Sequence, residues 1–181
     1  MKRNILFVLF SAAIGLAALY YGSKSWATAS SGFSSTPLAK GSLPEFEVFN
    51  HFIPPNLSGE DRKIWLSMQK TKGTSDLYVL SNAWQPAQAG QPVPNTGWHY
   101  HPGHSLIIVT AGTLTDYEGD DPSCTPHVYT AGMAFVDHGG VGHPHIIRNE
   151  GSVIAQNIAV QLVPSGQARR IDVAAPGNCP F

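Results

Sequence analysis

With 181 residues, 43% of them hydrophobic, the chain is long enough for one domain with a real core plus a targeting segment. Fourteen Pro and eighteen Gly interrupt it too often for long helices and favour a β-rich architecture. The formal net charge is −1, and without residues 1–29 eight basic residues face twelve acidic ones, a net of −4 with no Lys/Arg run, which argues against a nucleic-acid partner.

In chain order, Lys2 and Arg3 precede an apolar run over 5–21, and Ala27-Thr28-Ala29 offers a small-x-small cleavage site. This predicts a signal peptide over 1–29, or an uncleaved membrane anchor, since the run lies at the short edge of a span. Either form places the domain outside the cytoplasm, periplasmic or secreted. A membrane is a partner only if the segment stays uncleaved. Residues 30–43 are rich in Ser, Gly and Ala and read as a flexible linker.

Residues 44–73 read as an N-terminal arm and a short helix. The stretch 44–57 mixes aromatics with Pro and reads as an edge strand or an arm. Ser58-Gly59-Glu60-Asp61 ahead of Arg62, Lys63 and Ile64 resembles a capped helix start, ending near Lys72 and Gly73. From Asp76 the pattern changes. Strands are predicted at 76–83, 97–101, 105–111, 113–117, 127–130, 133–136, 145–148 and 153–163, separated by Gly- and Pro-containing turns. Short strands at this spacing make 74–165 an all-β sandwich or barrel. Residues 166–181 form a C-terminal tail. Cys124 and Cys179 are the only cysteines. In an oxidising compartment they pair and tie that tail to an inter-strand loop.

Six of the eight histidines fall in two stretches, His99, His101 and His104, then His138, His143 and His145. Buried imidazoles cost desolvation without partners, so packing alone does not explain such clustering. In a strand, residues i and i+2 share a face. His99 and His101 therefore project together, as do His143 and His145 if extended. Two such pairs facing each other make a nitrogen-rich site suited to one divalent transition metal: Fe, Mn, Zn, Ni or Cu. His138 reads as a turn residue. His51 and His127 lack a partner pattern.

The segment GWHYHPGHSLIIVTAG (97–112) resembles the first cupin motif, an H-x-H followed by a turn, a strand and a Gly. The segment GMAFVDHGGVGHPHIIRN (132–149) resembles the second, which runs from a Gly through a Gly-containing turn to a His with Asn four residues later. The resemblance implies a double-stranded β-helix (jelly-roll) barrel with His99, His101 and His145 as metal ligands. His145 takes the motif position because Asn149 follows it by four. One departure stands out: the cupin Glu ligand, seven residues before the closing Gly112, is Ser105 here. Asp116 and Glu118, the nearest carboxylates, lie on the next hairpin. Either His143 supplies a fourth nitrogen or three His suffice; His104 ranks third because its strand parity is opposite.

A divalent ion held by neutral imidazoles alone keeps its full charge, which favours a small anionic ligand. The resemblance makes available a metal-dependent oxidoreductase, dioxygenase-like, acting on a small anionic or phenolic molecule. Non-catalytic binding of metal and metabolite is the alternative, and a purely structural module the third reading. It also leaves a homodimer open. Leu106, Ile108, Ala134, Val136, Ile147, Ile158, Val160 and Leu162 are expected to fill or cover the barrel. Trp98 and Tyr100 should face away from the ligand pair. Gln161 has inward potential, with Tyr129 and Arg148 similar cases, and Arg169-Arg170 reads as a solvated pair.

Overall fold

The computed structural model describes residues 27–53 and 64–181. The apolar leader over 5–21 and the helix cap at 58–61 lie outside the described residues. Among the described residues there are twelve strands and no helix.

Two five-stranded antiparallel sheets carry the architecture. The first has the order β1 (Phe33–Leu43), β4 (Ser75–Trp84), β11 (Ala155–Pro164), β6 (Ser105–Ala111), β9 (Ala134–Asp137). The second has the order β12 (Ile171–Asp172), β5 (His99–Tyr100), β10 (His145–Arg148), β7 (Thr113–Glu118), β8 (His127–Thr130). Strands distant in sequence sit side by side in each sheet, the winding of a double-stranded β-helix.

Strand alternation explains the core. On β6, Ile107 and Val109 point inward with Leu80, Trp84, Leu114, Phe135, Ile147 and Ala159. Trp84 is 1% exposed and donates its indole N–H to the Ile147 carbonyl at 3.2 Å, binding the first sheet to the second. On β10 the alternation serves two cores: His145 and Ile147 face the interior side, while Ile146 joins Trp98 and Tyr117 in a second cluster. Val173, Cys124 and Cys179 pack against that cluster, so the C-terminal tail covers it.

Three expectations need correction. Residues 30–43 are not a linker: β1 pairs with β4 along its whole length, from Phe33↔Trp84 to Leu43↔Ser75. Its small Ser, Thr and Ala side chains resemble linker composition, but the edge of β4 needs a hydrogen-bonding partner. No helix runs to Lys72: β3 (Trp65–Lys70) pairs with β2 (Glu47–Phe52) as a separate two-stranded ribbon. Cross-strand pairs Phe52↔Trp65, Phe49↔Met68 and Glu47↔Lys70 outweigh the local helical pattern. Finally, Leu106, Ile108 and Val136 do not fill the barrel; they are 52%, 53% and 48% exposed on its outer surface, and Ala134 is exposed beside them. Both faces of β6 are aliphatic, so the side chains themselves do not reveal which parity is inward.

Cys124 and Cys179 form a disulfide across a sequence separation of 55 with Cα atoms 5.2 Å apart. A loop of that length closed in the unfolded chain contributes about 4 kcal/mol. Cys179→Ser should lower unfolding free energy by that order in urea denaturation; an unchanged midpoint would show the tail is held by packing alone.

Candidate metal centre

The strands place the rings by register. His99 on β5 pairs directly with His145 on β10. His101 lies two residues beyond His99, on the same side, while Trp98 turns the other way into the second cluster. The turn after β9 passes close over residue 103: a Cβ on Gly139 would sit 2.2 Å from the Gly103 carbonyl oxygen, and Gly139 has φ +65°. Only glycine suits that crossing. It lets Gly140 donate its N–H to the His101 carbonyl at 2.6 Å.

His99, His101 and His145 are 3%, 8% and 2% exposed and offer nitrogens all within 4.8 Å of one another. His99 Nε2 and His145 Nε2 are 3.2 Å apart. Ligands about 2.1 Å from a common ion lie roughly 3.0 to 3.4 Å apart for right-angle to tetrahedral geometry, so the His99–His145 spacing fits a shared cation. Each Nδ1 has its own acceptor: the Gly97 carbonyl for His99 at 2.9 Å, the Arg169 carbonyl for His101 at 2.6 Å, and Asp116 Oδ1 for His145 at 3.2 Å. Occupied Nδ1 atoms fix the rings so that Nε2 lone pairs converge, the outer support that metal-binding histidines use. The buried triad can therefore hold a metal ion.

The electrostatics of the ion-free site differ ring by ring. Burial, then the neighbouring His145 and His101, hold His99 well below the ordinary imidazole value. Burial also lowers His101 to about 4, against the opposing pull of Asp137. Burial works against a charged His145 too, but Asp116, Asp137 and Glu118 outweigh it and raise that ring to about 9. The carboxylates thus favour a charged His145, while burial favours neutral His99 and His101.

The remaining candidates lie elsewhere. His143 is not in the group: its Nδ1 is 2.7 Å from Asp120 Oδ2 at an exposed position. The reason is Pro144, which follows it and breaks the i, i+2 extension that pairing with His145 required, since β10 begins only at His145. His104 lines a different cleft with Gln69 and Leu162, and His138 another with Glu118 and His127. Ser105, at the cupin Glu position, donates its hydroxyl to Asp137 Oδ2 at 3.1 Å. Asp137 went unnoticed in the sequence. Its signal was the pairing of β6 with β9, which sets Ser105 directly opposite it.

Inside the barrel a cavity of about 80 Å³ borders the triad. Leu80, Ile107 and Ile147 form apolar walls, and Arg169 and Arg170 also line it. Arg170 is not freely solvated: it pairs with Asp172 at 2.6 Å and donates to the Thr96 carbonyl, and burial lowers its basicity. Ser35, Asn82, Asn157 and Gln161 line the same cavity. Ser35 Oγ, Asn82 Oδ1, Asn157 Nδ2 and Gln161 Oε1 are buried there without hydrogen-bond partners.

No protein-family profile and no curated protein matches the chain. Solved structures similar to it include the cysteine peptidase Peruvianin-I from Thevetia peruviana latex, 20% identical with a TM-score of 0.42, covering 55% of this chain and 56% of that one. A protein with a double-stranded β-helix domain from Klebsiella pneumoniae is 16% identical with a TM-score of 0.41, covering 54% and 70%. An oxalate oxidase in complex with glycolate is 19% identical with a TM-score of 0.42, covering 54% and 46%. The chain thus spans roughly half of the first of these relatives. Its own strand order, with the H-x-H of β5 set against the His of β10 inside two facing sheets, gives it the cupin-type double-stranded β-helix fold.

Proposed function

We propose that the chain is an exported metal-binding cupin that holds one divalent transition ion on His99, His101 and His145 and acts as a metal-dependent oxidoreductase on a small anionic molecule. The observation that carries the reading is three buried rings that bring nitrogens within 4.8 Å of one another while each Nδ1 has its own acceptor. A bound ion would supply Lewis acidity and an acidified water.

The chain's own residues define what fits beside it. A cavity of about 80 Å³ admits roughly five to eight water-sized atoms at ~10–15 Å³ each. That suits a short aliphatic acid better than a substituted phenol. Buried polar atoms demand partners, and those open here include the acceptors Asn82 Oδ1 and Gln161 Oε1, the donor Asn157 Nδ2 and the Ser35 hydroxyl. A hydroxy-carboxylate, able to donate and accept, satisfies them, with Arg169 and Arg170 supplying positive charge at the lining. Export is supported by the charged-then-apolar leader and by the disulfide, which belongs to an oxidising compartment.

One observation favours a non-catalytic carrier instead: the lining contains no Asp, Glu, Lys, Tyr or Cys, so the triad rings and the two arginines are its only ionisable groups. Oxygen uptake by Fe²⁺- or Mn²⁺-loaded protein over a panel of small hydroxy-carboxylates separates the two. Turnover supports the oxidoreductase; saturable binding without turnover supports the carrier. Neither turnover nor binding overturns both.

A further inference from the structure

We infer that Asp137 supplies a fourth protein donor to the metal, a carboxylate delivered by β9 into the position that β6 leaves without one at Ser105. The inference rests on the metal-binding reading above. Ser105 and Asp137 are direct cross-strand partners, 2% and 4% exposed. Asp137 Oδ1 accepts the Gly139 N–H at 3.0 Å, and Oδ2 accepts the Ser105 hydroxyl at 3.1 Å. These two bonds aim Oδ2 at the triad, where it stands 3.3 Å from His101 Nε2 and 3.9 Å from His145 Nε2.

The contact with His101 is the telling one. His101 Nδ1 faces the Arg169 carbonyl, which can only accept, so its proton sits on Nδ1. Nε2 then faces the carboxylate oxygen at 3.3 Å. Such a contact in a buried site needs a positive charge between its two atoms, a second proton on the ring or a cation. A metal ion satisfies His101 Nε2 and Asp137 Oδ2 together. A divalent ion also gives the buried Asp137 carboxylate a permanent counter-charge.

Two consequences follow for the site. Its charge with a divalent ion is +1 instead of the +2 of an all-imidazole site, so an anion is still attracted but less strongly. A carboxylate oxygen beside three nitrogens also extends the acceptable ions toward Mn²⁺, which purely imidazole sites favour less.

The test is Co²⁺ titration of the full chain, reading affinity by chelator competition and coordination by the visible absorption bands. Asp137→Asn keeps the shape and the bonds to Ser105 and Gly139 in part, and should weaken Co²⁺ by more than about 100-fold, beyond the range of lost outer-shell partners, with shifted bands. Ser105→Glu added to Asp137→Asn returns a carboxylate from the opposite strand and should recover most of the affinity. Ser105→Ala alone should change it less than about tenfold. Wild-type affinity and bands in Asp137→Asn would overturn the inference. If that variant does not fold, a Co²⁺-bound crystal of the unaltered protein decides: Oδ2 about 2.1 Å from the ion supports it, and an oxygen beyond bonding reach overturns it. Failure of the unaltered protein to take up any Co²⁺ would instead remove the metal-binding reading itself.

Discussion

His145→Ala should reduce affinity for Zn²⁺ or Co²⁺ by on the order of a thousandfold, about a quarter to two-fifths of the ~10–16 kcal/mol typical of a tightly held structural ion. His99→Ala and His101→Ala should do the same, because each removes one of three convergent nitrogens. His143→Ala should leave affinity unchanged, since that ring pairs with Asp120 at an exposed position. Isothermal titration of the four variants checks this. A large loss in His143→Ala, or intact binding in His145→Ala, would move the site away from the triad. His145→Ala also strands Asp116, whose carboxylate is 4% exposed at the side chain. Its stability should therefore be measured beside the affinity, with His145→Gln as the variant that retains a polar partner.

Metal affinity should fall about tenfold for each unit of pH below about 9. The ion-free ring of His145 is raised to about 9, and a proton on Nε2 competes with the ion for the same lone pair. From pH 8 to pH 6 the loss is roughly 100-fold. Near pH 4, where His101 protonates, the slope should steepen to two protons per ion. Titrations in buffers of different ionisation enthalpy would show about one proton released per ion at pH 7; none released would contradict the raised His145. Folding of the ion-free protein has its own sign. His145 is raised above the unfolded value of about 6.5, so its stabilisation is full below that value and is lost as pH rises toward about 9. His101 is lowered, so stability is lost as pH falls from about 6.5 toward 4. Taken together, these two rings place the greatest stability near pH 6.5.

Much of the barrel was readable before any coordinates. Strands 105–111, 127–130 and 145–148 have the bounds that turn residues marked. The shared face of His99 and His101 followed from period-2 alternation alone. What failed to show was decided by partners remote in sequence. The composition of β1 is that of a linker, and only the open edge of β4 makes it a strand. The segment Trp65–Lys70 carries both helical and alternating patterns, and its pairing with β2 settles the matter. Leu106 and Ile108 are as aliphatic as Ile107 and Val109, so nothing local distinguishes inside from outside. Asp137 lies 32 residues from Ser105, and only the β6–β9 register brings its oxygen to the rings. The distance between His143 and His145 misled in the opposite way, because a proline separates them.

The carbonyl that orients His101 belongs to Arg169, and it also accepts the Gln161 amide at 3.1 Å. From Arg169 the chain runs through β12 to Cys179, so the staple at Cys124 closes the same stretch that steadies the ring. On the metal-binding reading proposed above, the disulfide should therefore steady the His101 ring and with it the grip on the cation. Dithiothreitol should accordingly weaken Co²⁺ retention well before it unfolds the sheets, and equal retention in both thiol states would uncouple the two.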